Sequence, residues 1–237
     1  MPAICYDFGP AVTAFSTDCG MDFSSQQACS GGQDFSVLQR EALVSLLGPG
    51  AASSMVFPRQ VHGNSVWQVT REQAGQCGMV EADAVVTDVK GLPVAIRTAD
   101  CLPLLLCDVR RGVVAAVHAG WRGTKAQIAL RTLEILLRDY HCEFHDIRAV
   151  IGPCIRMNNY QVSQDFCNFF PEDVFIMSDG WHFDLAGANT RQLLSAGFFQ
   201  ENITDCGRCT FAEKEFFFSY RRQGDQAGRL LHAIAVR

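Results

Sequence analysis

Apolar runs separated by Gly, Pro and Asp occupy much of residues 55–151 and predict a series of β-strands. Several of these runs lack alternating polar residues, which is typical of strands that are buried on both faces. We therefore expect sheets that are covered by helices or by another sheet. The predicted strands are Met55–Phe57, Ser65–Val69, Ala84–Thr87, Val94–Ile96, Leu102–Cys107, Val113–His118 and Arg148–Ile151.

Two further segments have the apolar spacing of amphipathic helices. The first follows Phe35 and ends at Gly48, which stands just before a proline and supplies a stop signal. The second runs from about Lys125 to Asp139. At its start, Thr124 and Gln127 have the spacing of a capping box.

The C-terminal residues predict a closing hairpin, because the apolar segments 215–222 and 228–237 flank the polar sequence "QGDQAG". Runs of strands mixed with few helices are typical of an α+β fold. We expect a single layered domain over residues 1–237, with mixed β-sheets flanked by helices.

Composition and charge narrow the class of function. Of the 237 residues, 48% are hydrophobic and 19% are charged, so the chain can bury a sizeable core. A formal charge of −5 without a long basic run argues against nucleic-acid binding. No apolar stretch approaches the ~20 residues that cross a bilayer, and the N-terminus lacks the layout of a signal peptide. We expect a cytoplasmic protein that binds small molecules and no membrane, while the sequence predicts no oligomeric state.

The chain has 11 cysteines, and this odd number without an export signal indicates free thiols. Cys101 and His118 stand at opposite ends of one predicted hairpin. If residues 108–111 form a four-residue loop, the two residues lie directly opposite each other, with Cβ atoms about 4.5–5.5 Å apart. They can then share one metal ion. The pair also fits two core positions, or a nucleophile and its base.

A third metal ligand is available in His62, which stands just before Gly63. Catalytic zinc keeps three protein ligands and an open fourth position, and His and Cys also ligate copper. The spacing of His62, Cys101 and His118 matches no local zinc-finger pattern. The residues alone therefore leave both the metal site and its metal open.

Several motifs resemble the YfiH/YlmD family: "RQVHG", "EADAVVTD", "TADCLPLLL", "VAAVHAGWRGT", "IGPCI" and "FFSYRRQGDQAGR". The resemblance covers about residues 55–237. Members of the family are described variously as polyphenol oxidase (laccase), peptidoglycan editing factor and purine nucleoside phosphorylase. The resemblance implies a mixed-sheet α+β fold and a zinc site formed by His62, Cys101 and His118.

The resemblance also implies an activity on purine nucleosides, namely phosphorolysis of adenosine, inosine and methylthioadenosine, and deamination of adenosine. The expected ligands are thus a nucleoside and phosphate. Two alternatives remain. One is copper-dependent oxidation of phenols, and the other is an editing hydrolase for peptidoglycan precursors with Cys101 as nucleophile and His118 as base.

Two acidic residues are candidates for proton transfer in the reaction. Asp83 lies in "EADAVVTD", and Asp100 stands beside Cys101. A carboxylate near a metal-bound histidine also commonly orients the second ring nitrogen, so an orienting role is the alternative for both residues.

Two arginines are candidates for substrate binding. Arg122 lies in "AGWRGTKAQ", where it and the start of the predicted helix could hold phosphate, with a structural ion pair as the alternative. Arg40 aligns with an arginine of the resembling proteins, where it resembles a substrate-binding position; a solvated arginine on an exposed helix face is the alternative. Those proteins usually carry Glu where Gln161 stands and Arg where Asp18 stands. If either position binds substrate, the specificity of this chain is expected to differ.

Overall fold

The computed structural model describes residues 3–24 and 35–237. Its strands are β1 (Ala3–Tyr6), β2 (Val12–Thr17), β3 (Phe57–Arg59), β4 (Val66–Gln68), β5 (Cys77–Glu81), β6 (Ala84–Thr87), β7 (Val94–Thr98), β8 (Leu102–Asp108), β9 (Val113–Ala119), β10 (Ile147–Ile151), β11 (Gln161–Val162), β12 (Val174–Met177), β13 (Gly180–Phe183), β14 (Ile203–Asp205) and β15 (Leu230–Val236). Its α-helices are α1 (Val37–Leu47), α2 (Ala51–Ser54), α3 (Trp121–Lys125), α4 (Ile128–Asp139), α5 (Leu185–Ser195) and α6 (Tyr220–Gln223). The strands predicted between residues 55 and 151 are all present, with ends that differ by no more than two residues.

The strands of the described residues form two large sheets and two small ones. The larger sheet has the order β14-β10-β8-β9-β6-β4 and is mixed, because β14 and β10 pair in parallel, as do β6 and β4. The second sheet, β1-β2-β15-β7, is antiparallel. The small sheets are β11-β13-β12 and β3-β5. The predicted α+β fold with mixed sheets is confirmed.

The two large sheets pack face to face between layers of helices. Alternate side chains of β8 point to opposite faces: Leu104 and Leu106 join the cluster that includes α4 and α5, while Leu105 and Cys107 pack against the four-stranded sheet. A third cluster lies on the far face of the four-stranded sheet and includes Leu43 of α1. Burial on both faces explains why the strand sequences lack polar alternation.

The β8–β9 hairpin forms, but the predicted register is wrong by two residues. Pro103, not Cys101, lies opposite His118, and the last pair before the loop is Asp108 and Val113. Asp108 stays in the strand because its Oδ1 accepts a hydrogen bond from the backbone N–H of Arg111 at 2.9 Å. A shift of two residues keeps every side chain on its face of the sheet, so the relation between Cys101 and His118 survives.

The first predicted helix is confirmed as α1, with Gly48 at its C-terminal cap and φ of 95°. The second is divided: α3 begins four residues earlier than predicted, and α4 begins after Gln127, which has φ of 60°. The predicted capping box is absent, because the Thr124 hydroxyl is buried and accepts a hydrogen bond from Asn189 at 3.0 Å. No helix of the described residues is long and apolar enough to cross a membrane.

The predicted C-terminal hairpin is wrong. The strand β15 is buried along its whole length and pairs with β2 and β7. The segment 215–222, which was expected to pair with it, has no regular structure around Phe217 and then forms α6, which begins after Ser219. The Ser219 side chain accepts a hydrogen bond from the backbone N–H of Arg222 and so caps this helix.

Candidate metal centre

The three predicted ligands meet at one end of the six-stranded sheet. Cys101 directly precedes β8, His118 lies near the end of the antiparallel β9, and His62 follows β3. Their ligand atoms all lie within 4.8 Å of one another, and this is the one group of three or more His, Cys, Asp or Glu side chains with such a spacing among the described residues. The imidazole rings of His62 and His118 meet edge to face, with centroids 4.8 Å apart.

Asp83 positions two of the three ligands. Its carboxylate accepts a hydrogen bond from Nδ1 of His118 at 2.8 Å, and from the backbone N–H groups of Val61, His62 and Gly63 at 3.3, 2.9 and 2.6 Å. Nδ1 of His118 is thereby occupied, which leaves Nε2 for a metal ion. Since both carboxylate oxygens are engaged and Asp83 is fully buried, the geometry suits orientation of the ligands rather than proton transfer.

The hydrogen bonds of Asp83 also fix its charge. Burial raises the pKa of this carboxyl group, but the bond and the charge of His118, with the amides of Gly63 and His62, outweigh it, so the pKa is lowered. Asp83 is therefore a carboxylate at neutral pH and a suitable acceptor for the ring N–H of a metal-bound histidine.

Cys101 and His118 stabilise each other's charged forms. Burial raises the pKa of the Cys101 thiol, yet the nearby His118 and His62 outweigh this effect and the pKa is lowered. Burial lowers the pKa of His118, but the opposite effects of Cys101 and Asp83 are larger, so the pKa of His118 is raised. A metal ion requires the thiolate and the neutral imidazole, and its binding releases the proton of His118.

Asp100 supports the site from the other side of Cys101. Oδ1 accepts a hydrogen bond from the Thr210 hydroxyl at 2.6 Å, and Oδ2 accepts from the Ser219 hydroxyl at 3.0 Å and the Arg221 backbone N–H at 2.6 Å. Asp100 has φ of 91°, which is uncommon for a residue with a side chain. These bonds hold the Asp100 backbone in place and tie the C-terminal segment to the turn that carries Cys101. The geometry again suits positioning.

Gly120 leaves the space that the site needs. A Cβ atom at this position would lie 2.8 Å from Sγ of Cys101 and 3.4 Å from Cδ2 of His62. Since real Cβ atoms do not approach other atoms to 2.8 Å, a larger residue here would displace the thiol. Both contact atoms belong to predicted metal ligands.

The ligands lie in a cavity of about 1150 Å³. Trp121 and Tyr160 present aromatic surface to it, and several arginines add positive charge. The pocket thus combines a metal-ligand trio, aromatic faces and hydrogen-bond donors, as a site for an aromatic, anionic or mixed ligand requires. Residues that line it include His62, Asp100, Cys101, His118, Trp121, Arg122, Tyr160, Tyr220, Arg221 and Arg229.

Arg122 lines the cavity, but the local structure that places it there differs from the expected one. It belongs to the five-residue helix α3, and its guanidinium lies 4.4 Å from the centroid of the Trp121 ring. The predicted helix start near Lys125, whose free N–H groups were expected to help hold phosphate, is wrong. The chain is already helical at Trp121. Among the described residues Arg122 makes no ion pair, so the structural alternative for its role is not observed.

Arg40 does not line the cavity. It is exposed on α1, where its Nε donates a hydrogen bond to the carbonyl oxygen of Phe35 at 2.9 Å. Its substrate role stays a prediction. Asp18 and Gln161 do not line the cavity either: Asp18 accepts from the Gly20 N–H at 2.8 Å, and the Gln161 side chain donates to the carbonyl of Asp179.

Sequence reasoning assigned no role to Trp121, Tyr160 or Arg221, all of which line the cavity. Trp121 and Arg221 lie inside the motifs "VAAVHAGWRGT" and "FFSYRRQGDQAGR", and Tyr160 directly precedes Gln161. The signal that could have identified these three residues is an aromatic or basic side chain in or beside a motif.

Comparison with known proteins agrees with this geometry. A family model described as "Multi-copper polyphenol oxidoreductase laccase" matches residues 30–237. The chain belongs to this family. The crystal structure of the hypothetical protein YfiH from Bacillus licheniformis has the same fold, with a TM-score of 0.87 and 25% identity over 100% of this chain and 97% of that one. The resemblance to the YfiH/YlmD family is thereby confirmed.

The relatives carry the names of two activities on nucleosides. A purine nucleoside phosphorylase of Deinococcus radiodurans is 39% identical over 202 residues, which are 83% of this chain and 76% of the relative. Adenosine deaminase RL5, from an unknown prokaryotic organism, is 32% identical over 195 residues, or 76% of this chain and 74% of the relative. These names support a nucleoside-processing enzyme.

The donor set fits a single divalent ion. One thiolate and two imidazoles match the three protein ligands of catalytic zinc, which leave a fourth position open. The same donors bind copper. A centre with several copper ions needs more ligands than this trio, and the described residues contain no second group of comparable spacing.

Proposed function

We propose that this chain is a zinc-dependent purine nucleoside phosphorylase that also deaminates adenosine, with adenosine, inosine and methylthioadenosine as substrates. The observation that carries the proposal is one three-ligand site inside a cavity that also presents aromatic rings and arginines. The relatives named purine nucleoside phosphorylase and adenosine deaminase support the same choice.

His62, Cys101 and His118 would hold the zinc ion, and Asp83 fixes the ring orientation of His118. Zinc in such a site acts as a Lewis acid and lowers the pKa of a coordinated water towards ~7, which is the chemistry that hydrolytic deamination at C6 of adenine needs. That reaction consumes water and releases ammonia. The role of the protein is to hold the base beside the ligand trio and to restrict bulk water.

Phosphorolysis requires a second bound reactant. An oxygen of inorganic phosphate forms a bond to C1′ of the ribose while the bond from C1′ to N9 of the purine breaks, and the departing base takes up a proton from water. The products are ribose 1-phosphate and the free base. In this reaction Arg122 binds the phosphate, and the rings of Trp121 and Tyr160 provide stacking surface for the purine.

The proposal is tested with purified, zinc-loaded protein, adenosine or inosine, and product separation by chromatography, with and without phosphate. We expect hypoxanthine and ribose 1-phosphate from inosine only when phosphate is present, and inosine from adenosine in its absence. Cys101→Ala is expected to lose both activities. Cys5→Ala, which replaces an exposed thiol, serves as the matched control. Absence of both free base and inosine with the wild-type protein contradicts the proposal.

Oxidation of phenols with copper is a second candidate, because the description of the family names a polyphenol oxidoreductase. Elemental analysis separates the two. More than one copper ion per chain, together with oxidation of a phenol, supports the oxidase, whereas one zinc ion and negligible copper removes it.

A thiol hydrolase acting on peptidoglycan precursors is a third candidate, which the lowered pKa of Cys101 beside His118 favours. A zinc-bound thiolate is shielded from electrophiles. Rapid alkylation of Cys101 in zinc-loaded protein therefore supports this candidate, and protection until zinc is removed contradicts it.

A further inference from the structure

Arg122 and Arg221 line the cavity, and neither forms an ion pair with a carboxylate among the described residues. Arg122 contacts the face of Trp121, with 4.4 Å to the ring centroid. Arg221 donates from Nη1 to the carbonyl oxygen of Gln161 at 2.8 Å and lies 5.2 Å from the centroid of the Tyr160 ring. Both keep donor groups that no described carboxylate occupies.

The hydroxyl group of Tyr160 is a third donor in the same place. It makes no hydrogen bond to another described residue, although Tyr160 is half-buried in the cavity wall. Burial raises the pKa of this phenol, and the negative charge of Cys101 raises it further, while Arg221 and Arg122 oppose these effects. The phenol therefore stays protonated, and its electrostatic neighbours include both arginines and a predicted zinc ligand.

Other arginines of the cavity are less suited to an anion. Arg59 forms an ion pair with Glu81. Arg229 donates to the carbonyl oxygens of Ala227 and Gly228, and its backbone N–H donates to the carboxylate of Asp22, which also lines the cavity. The nearby carboxylate opposes the binding of phosphate at Arg229.

We propose that Arg221, Arg122 and the hydroxyl group of Tyr160 form one anion subsite next to Cys101, which binds the inorganic phosphate that attacks C1′. This inference rests on the proposed phosphorylase activity and adds Arg221 and Tyr160 to the binding residues. Two guanidinium groups and a phenol supply charge-assisted and neutral donors for the oxygens of a phosphate dianion.

The position of this subsite is tied to the metal centre. The backbone N–H of Arg221 donates to Asp100 at 2.6 Å, and Asp100 is adjacent to Cys101 in the chain. Arg122 lies four residues after His118, and the intervening Gly120 packs against Cys101. The proposed phosphate subsite and the predicted metal ligands therefore lie on neighbouring segments, so that a nucleoside bound in the cavity is close to both.

Deamination of adenosine uses no phosphate and so serves as an internal control. In Arg221→Met we expect the KM for phosphate in inosine phosphorolysis to rise about tenfold or more, since bonds to charged groups are among the strong ones. The rate of adenosine deamination without phosphate is expected to fall by a clearly smaller factor than phosphorolysis does, because only phosphorolysis needs the bound phosphate. Tyr160→Phe keeps the ring and is expected to raise the KM for phosphate by a smaller factor. Arg138→Met, at an exposed arginine that pairs with Asp139, is the matched control.

Binding of phosphate to the zinc-loaded protein is measured separately by titration calorimetry, which does not depend on turnover. We expect binding to weaken in Arg221→Met and to remain unchanged in Arg138→Met. An unchanged KM and unchanged phosphate binding in Arg221→Met overturn the subsite, as does an equal loss of deamination and phosphorolysis. If the wild type has neither activity the proposed function fails, while the calorimetry still decides the subsite.

The same chemistry could come from the phosphate ester of a nucleotide. Adenosine 5′-monophosphate is therefore compared with adenosine in the deaminase assay. We expect no preference for the nucleotide. A nucleotide preference that disappears in Arg221→Met assigns the subsite to a substrate ester and overturns the assignment to inorganic phosphate.

Discussion

Asp83 accepts a hydrogen bond from Nδ1 of His118 at 2.8 Å, while its two oxygens also receive three backbone N–H groups of the loop that carries His62. One buried carboxylate thus sets the position of both histidine ligands. The thiolate of Cys101 approaches from a different segment, in front of β8. The metal centre therefore depends on Asp83 although Asp83 is not itself a ligand.

Asp83→Asn is expected to weaken zinc binding about 10–100-fold. An amide group of Asn cannot accept all four hydrogen bonds and brings an N–H towards backbone donors. Zinc affinity is measured by competition with a chelator. Asp88→Asn, at an exposed carboxylate in the same segment, is the control and is expected to bind zinc like the wild type. Equal affinities of the two variants would contradict the role of Asp83.

Gly120→Ala is expected to disrupt the site, because its Cβ would lie 2.8 Å from Sγ of Cys101. Gly63→Ala is the matched control, because its Cβ would lie 3.5 Å from Oδ2 of Asp83, which is an ordinary van der Waals contact. Zinc content after dialysis is the measurement, with circular dichroism as a check on folding. We expect a large loss of zinc only in Gly120→Ala; retention of zinc by this variant would show that the thiol has room to move.

His232 predicts a pH dependence of stability. It is fully buried between Ser16 and Thr98, with hydrogen-bond distances of 2.6 and 2.8 Å, and burial, with a smaller effect from His118, lowers its pKa from 6.5 to about 3. Because the unfolded chain takes up this proton first, the stabilisation is fully present above pH 6.5 and is lost as the pH falls from there towards 3.

The test compares the free energy of unfolding of the wild type and of His232→Gln between pH 7 and pH 4, by denaturant titration. Glutamine offers a donor and an acceptor but does not titrate. The wild type is expected to lose up to about 1.4 kcal/mol more per pH unit than the variant. Parallel pH profiles would mean that the pKa of His232 is the same in the folded and the unfolded chain, which contradicts its lowering by burial.

Trp121 tests the aromatic side of the proposed substrate site. Its ring lines the cavity and lies 5.0 Å, centroid to centroid, from Phe166. Trp121→Ala is expected to raise the KM for inosine and adenosine about 10–100-fold, because stacking of a base on an aromatic ring is worth about 1–3 kcal/mol. Trp181→Ala, on β13 and outside the cavity lining, controls for the loss of an indole. Similar KM values for both variants would argue against stacking on Trp121.

Much of the central sheet was predictable, because buried strands such as Leu102–Asp108 carry unbroken apolar runs. The register of the β8–β9 hairpin was not, since Asp108 is equally suited to a loop or to the end of a strand. The hydrogen bond from the backbone N–H of Arg111 to Oδ1 of Asp108 favours the strand end. Cys101 and His118 nevertheless lie close together, because a register error of two residues leaves every side chain on the predicted face of the sheet.

The C-terminal region was mispredicted for a different reason. The apolar sequence around Phe217 has high β-propensity, but Ser219 and Arg221 are held by Asp100, more than 100 residues earlier in the chain. Local patterns do not contain such contacts. The hydrogen bond from the Arg221 backbone N–H to Asp100 also fixes Arg221 beside the cavity. The motif marked this segment in the sequence, but only the contact with Asp100 shows where Arg221 lies.

The most direct test of the account is the zinc content of the wild type beside Cys101→Ala, measured by elemental analysis after purification without added metal and after reconstitution with zinc. We predict about one zinc ion per chain in the wild type and a small fraction of that in the variant, since three ligands are the minimum for such a site. Equal zinc in the two proteins would contradict the metal centre that His62, Cys101 and His118 are proposed to form.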